Sequence, residues 1–179
     1  MKERSPTKPS SLPSDSGHEA QPGAFVPAFD SESVPLHETQ IALLERTFLQ
    51  VETQSEIAAL IFFRNLFTLN PALRPLFQLG VEVPGRRLMQ SLRATVTALK
   101  KPAELIPFLK STGRRLAAEG VKDEHYAPAR QALLEMLREV LGREFNSTVG
   151  TAWERALGFF SQTMISGTRV KADANASGV

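Results

Sequence analysis

Few side chains in this chain can do chemistry. Its 179 residues include three histidines (His18, His37 and His125), one tyrosine (Tyr126), four methionines and no cysteine. Without cysteine there can be no disulfide framework, thiolate metal site, thiol nucleophile or iron–sulfur cluster. Metal ligation then falls mainly to imidazole nitrogen or phenolate oxygen. The histidines do not make a His-Glu-x-x-His pair, and neither a Gly-rich phosphate loop nor a strand–Ser–helix elbow occurs. No enzymatic activity is therefore expected. His37 stands at the N-terminal edge of the first helix, where capping or exposure is expected rather than ligation. Met89 and Met164 lie on apolar stripes and read as core fillers. Glu135 with Arg138, and Glu139 with Arg143, have the spacing of solvated helix-surface pairs. Arg86, Arg87, Arg93, Lys100 and Lys101 read as a solvated basic face.

The elements that must position these groups follow from composition and pattern. Charged residues make up 22% and hydrophobic ones 42%, with 21 Lys+Arg against 19 Asp+Glu for a net charge of +2. That composition is globular, and too balanced to argue for nucleic acid or a membrane surface. No apolar run approaches the ~18 residues of a membrane span. The opening MKERSPTKPSSLPSD has no apolar stretch of the kind a secretory signal needs. A cytoplasmic protein is expected.

Prolines at positions 6, 9, 13, 22, 27 and 35, interleaved with Ser and Gly, oppose helix and offer little apolar surface. Residues 1–36 are expected to be a disordered tail holding His18 and one apolar cluster, Phe25-Val26 with Phe29. Residues 169–179 are expected to fray, leaving a domain at 37–168.

Within it the period is helical throughout, so the fold class is all-α. Ile41, Leu44, Phe48 and Val51 mark a first helix, and Ala58, Ile61, Phe62, Asn65 and Leu66 a second that ends near Asn70-Pro71. A short turn over 72–77 follows. Leu88, Leu92, Val96 and Leu99 give a helix starting near Pro84. Leu105, Phe108, Leu109 and Leu116 mark a shorter one, interrupted by Gly113. Asp123 is expected to cap the next, which Gly142 ends, and Asn146 or Ser147 to cap the last, which buries Trp153.

Four stretches in register carry a family likeness: Phe62-Phe63-Arg64-Asn65-Leu66-Phe67 with Asn70–Phe77; Gly85-Arg86-Arg87-Leu88-Met89; Gly113–Val121 leading to Glu124-His125-Tyr126; and Ala152-Trp153-Glu154-Arg155-Ala156. The chain resembles the globin family, nearest to bacterial single-domain globins and the globin half of flavohaemoglobins, over about residues 38–167. The resemblance implies a globin fold of about six to eight helices and, as the family's usual cofactor, haem b.

It also implies where the pocket lies. Phe77 matches the phenylalanine that packs on the haem face, and Leu88 the distal apolar residue. Leu116 stands where haem-bearing relatives place the iron-ligating histidine. Pro84 stands at the usual distal Gln or His, and Phe63 at the second-helix tyrosine. Tyr126 matches the tyrosine that flavohaemoglobins pair with a last-helix glutamate, but the glutamate's position falls on Thr168. Four polar groups are thus missing from an intact apolar frame.

That pattern leads to the expectation of a globin fold without cofactor or metal, acting as a sensor or interaction module. An empty void of about 400 Å³ would cost on the order of 10 kcal/mol at ~24 cal/mol per Å³. Side chains are therefore expected to fill the pocket (Phe63, Phe77, Pro84, Leu88, Leu116 and Tyr126 are its equivalents), unless an apolar small molecule occupies it. A protein partner and a homodimer are compatible with this reading. The alternative is a haem-binding globin for oxygen or nitric oxide, with His125 or Tyr126 as the unusual axial ligand. Without the matching tyrosine and histidine, nitric-oxide dioxygenase activity is not expected.

Overall fold

The computed structural model describes residues 34–77 and 79–176, with side chains through Arg169. Residues 1–33, including His18 and the Phe25–Phe29 cluster, lie outside the described residues. Six α-helices follow in order: α1 (Glu38–Glu52), α2 (Ser55–Leu69), α3 (Glu82–Thr97), α4 (Pro102–Ala118), α5 (Tyr126–Leu141) and α6 (Ser147–Ala176). Short 3-10 turns at Pro71–Phe77, Ala98–Lys100, Asp123–His125 and Gly142–Glu144 connect them. No strand occurs among the described residues, and none of these helices is long and apolar enough to cross a membrane.

Each helix buries the stripe its sequence marks. Ile41, Leu44, Phe48 and Val51 of α1 are buried, as are Ala58, Phe62, Phe63, Asn65 and Leu66 of α2. At the centre, the fully buried Trp153 indole donates to Thr47 Oγ1 at 3.0 Å, tying α6 to α1. The Thr47 hydroxyl in turn donates to the Leu43 carbonyl at 2.8 Å, so both polar groups are satisfied inside the core. Across the α2–α5 contact, Glu139 accepts from Arg64 and Asn65. The bond from Arg64 holds the Glu139 carboxyl below its ordinary pKa, with Asn65 helping.

Several boundaries differ from the sequence expectations for identifiable reasons. Val34 and Leu36 pack against the core, so order begins ahead of residue 37. The last helix runs on to Ala176 rather than ending near 168, and alternating alanines at 172, 174 and 176 favour helix there. Gly113 does not interrupt α4: it faces α6 so closely that an added Cβ would lie 2.0 Å from the Met164 carbonyl oxygen. Asp123 does not cap α5; it opens the preceding 3-10 turn, where the Lys122 N–H donates to His125 Nδ1 at 3.1 Å. Asn146 Oδ1 does cap the last helix, accepting from the Val149 N–H at 3.0 Å. Gly142 ends α5 at φ +52°.

Candidate functional site

Packing of the helices determines where a guest could lie. α4 packs most extensively against α6, and α2 against both α5 and α3, whereas α3 and α4 meet only sparsely. Two glycines draw α4 onto α6, because a Cβ on Gly113 or Gly167 would run into the opposing backbone at 2.0 or 2.5 Å. At the α2–α3 crossing, a Cβ on Gly85 would come within 2.9 Å of the Ala59 Cβ. α3 is thus held against α2 and α4 against α6, while α3 and α4 share few contacts.

The residues singled out as pocket equivalents lie on α2, the 3-10 turn after it, α3, α4 and α5. Phe63 of α2 is buried, its ring 5.0 Å from that of Phe77 in an edge-on arrangement and 5.8 Å from Phe67. Phe77, at the end of the 3-10 turn, and Leu88 on α3 are only half-buried. Leu116, in the last turn of α4, is also half-buried, as is Pro84. Pro84 is the third residue of α3, where backbone N–H groups have no intrahelical partner, so it costs the helix little. Leucine and phenylalanine side chains left half-open from three elements are what an unsealed apolar slot looks like.

Between α3 and α4 remains a cavity of about 170 Å³, lined by Arg87, Gln90, Ser91, Ala94, Phe108 and Arg115. That is below the ~300–1,000 Å³ of a small-molecule site, so a large guest would have to part the two helices. Little holds them together at the rim: Arg87 and Glu119 are 3.9 Å apart and well exposed, a pairing worth ~0–1 kcal/mol. A larger cleft, about 850 Å³, lies against the α1–α2 corner and includes Glu52, Glu56, Arg86, Arg93 and Lys101 in its lining. None of the pocket equivalents lines that cleft or the smaller gap.

The groups able to ligate a metal are sparse among the described residues, which contain no cluster of three or more His, Asp or Glu suited to that task. His37 takes part in the start of α1, its N–H donating to Gln40 Oε1 at 3.1 Å. His125 is engaged at one nitrogen. Nδ1 accepts from the Lys122 N–H, and Nε2 stands 3.6 Å from Glu124 Oε1. Tyr126 differs: it is 8% exposed, and its hydroxyl has no hydrogen-bond partner among the described residues. Thr168, at the position of the missing glutamate, donates instead to the Ile165 carbonyl of its own helix at 2.7 Å. Burial, with a smaller contribution from Asp123, pushes the Tyr126 phenol above its ordinary pKa. Half-open phenylalanine and leucine side chains suit the flat apolar face of haem, but the gap between α3 and α4 is too small for it unless the helices part.

Comparison with known proteins bears on the same point. A family model described as Globin matches residues 60–164. The Flavohemoprotein of Bordetella parapertussis is 31% identical over 140 residues, covering 76% of this chain and 35% of that protein. The chain therefore spans about a third of that relative's length. Two solved structures share the fold. One is a hexacoordinated heme protein from an anhydrobiotic tardigrade, with a TM-score of 0.71, 15% identity, and 76% of this chain and 97% of that one covered. The other is a bacterial globin from Campylobacter jejuni, with a TM-score of 0.67, 19% identity, and 76% and 99% covered. These findings overturn the expectation of a domain without a cofactor, since the chain matches the Globin model and both the Bordetella relative and the tardigrade neighbour are named as haem proteins. Leucine at residue 116 lacks a donor atom, but one side chain without a donor does not by itself exclude an apolar guest, most of whose surface is buried against apolar walls.

Proposed function

This chain belongs to the globin family, and on that footing we propose that it binds haem between α3 and α4 and offers it to a small diatomic ligand. The observation that carries the reading is the state of Phe77, Leu88 and Leu116. These three large apolar side chains, on the 3-10 turn, α3 and α4, stay half-open, and α3 and α4 themselves meet only sparsely. Haem supplies an iron able to take oxygen or nitric oxide.

The chain's own residues set the surroundings of that iron. Phe77 and Leu88 give apolar contact to the disc, and Phe63 backs Phe77 through its ring. Phe63, Pro84 and Leu88 have no side-chain donor, so a ligand on that side gains no hydrogen bond from them. Water is disfavoured there for the same reason. Arg87 and Arg115 line the gap at its outer edge, where guanidinium groups suit carboxylates.

The test is an absorption titration of the purified protein with hemin. A sharp Soret band saturating at one haem per chain supports the reading. A folded protein that leaves only the broad absorbance of free hemin overturns it.

A further inference from the structure

The triplet Gly-Arg-Arg occurs twice, at residues 85–87 on α3 and 113–115 on α4. In both, the glycine seats its helix on a neighbour. A Cβ on Gly85 would come within 2.9 Å of the Ala59 Cβ on α2, and one on Gly113 within 2.0 Å of the Met164 carbonyl oxygen on α6. Two residues further on, an α-helix has turned by about 200°. The second arginine of each triplet therefore leaves its helix from the side away from that close contact. Both reach the same place, since Arg87 and Arg115 line the gap of about 170 Å³ between α3 and α4. The rest of the lining is Gln90, Ser91, Ala94 and Phe108, which adds an amide and a hydroxyl as donors and no carboxylate. Glu119 stands 3.9 Å from Arg87, with both side chains well exposed. Among the described residues no carboxylate pairs with Arg115. Two guanidinium groups on one gap repel each other, at a place where α3 and α4 share few contacts.

We propose that this gap is a binding site for a small, doubly charged oxyanion of the phosphate type, held between Arg87 and Arg115, with Gln90 and Ser91 completing its hydrogen bonds. Guanidinium forks match phosphate oxygens in pairs. A volume of about 170 Å³ takes one tetrahedral oxyanion and falls short of the ~300–1,000 Å³ of a larger organic ligand. The bound ion offsets the repulsion between the two arginines and ties α3 to α4. Binding is reversible, and no covalent bond forms or breaks. The site goes beyond haem binding and is tested with no hemin added, so either reading can fail while the other stands.

The experiment titrates inorganic phosphate into the full chain by isothermal titration calorimetry, at mildly alkaline pH and at an ionic strength held constant with sodium chloride. Wild type should bind one phosphate per chain and melt at a higher temperature in its presence. Arg87→Gln and Arg115→Gln should each weaken binding at least about tenfold. Arg86→Gln and Arg114→Gln remove the same charge one position away, from residues that do not line the gap, and should change affinity by less than about threefold. All four positions are exposed, so the variants should fold, which circular dichroism checks. No binding beyond that of chloride overturns the proposal. Equal losses in all four variants also overturn it, because diffuse attraction to a basic surface then accounts for the binding. Phenyl phosphate separates the two sources of such a group. Affinity equal to that of inorganic phosphate assigns the site to a phosphate carried on a larger molecule, and affinity about tenfold weaker assigns it to the free ion.

Discussion

Gly113 and Met164 bring α4 and α6 into backbone contact: a Cβ on residue 113 would sit 2.0 Å from the Met164 carbonyl oxygen. Backbone cannot retreat as the end of a flexible side chain can, so the glycine is a packing requirement. It fixes where α4, the helix that carries Leu116, lies against α6.

Gly113→Ala should therefore destabilise the protein. Overpacking costs ~1–3 kcal/mol, against at most ~1 kcal/mol gained in helix propensity. Gly158→Ala is the control, because its nearest neighbour is the Arg130 guanidinium at 3.9 Å; there the propensity gain should stand alone. Urea unfolding should show the two midpoints moving in opposite directions.

Much of this frame was legible in the residues, and the exceptions are instructive. The stripes of α1, α2 and α3, the Asn146 cap and the stop at Gly142 follow from local chemistry. Gly113 reads in sequence as a helix breaker, because the Met164 backbone it makes room for is 51 positions away. Asp123 looks like a cap, but the His125 ring takes the Lys122 N–H first. Leucine at residue 116, where the resemblance implies a ligating histidine, suggests that the cofactor is lost. Family comparison corrects that step. The unpartnered state of Tyr126 is a property of three-dimensional burial that no spacing could reveal.

Thr47 and Trp153 make a second buried pair. Thr47→Val leaves the indole N–H without its acceptor and should cost ~1–3 kcal/mol. Thr47→Ser keeps the hydroxyl and should retain most of the stability. Equilibrium unfolding followed by Trp153 fluorescence checks both.

Tyr126 should give the apoprotein an alkaline weakness. Its phenol pKa is raised on folding, by burial first and Asp123 second. The unfolded chain therefore releases this proton at lower pH than the folded one, and stability falls as pH rises past ~10. Tyr126→Phe should be as stable as wild type or more so at neutral pH, because an unpartnered hydroxyl has been removed. It should also lose less stability than wild type between neutral and strongly alkaline pH in thermal melts.

Phe63→Tyr would restore a donor on the distal side. One hydrogen bond of ~1 kcal/mol slows ligand loss by about fivefold, so oxygen should leave the haem-loaded variant several times more slowly than wild type. Stopped-flow displacement of oxygen by carbon monoxide measures the rate. Equal rates would show that residue 63 does not reach the ligand.

The central claim, that haem lies against α3 and α4, is tested most directly by titrating hemin into wild type and Leu116→His side by side. Wild type should saturate at one haem per chain. The variant should bind more tightly, with the spectrum of an imidazole ligand, because the proposal puts residue 116 beside the iron. If both folded proteins leave only the broad absorbance of free hemin, the claim fails.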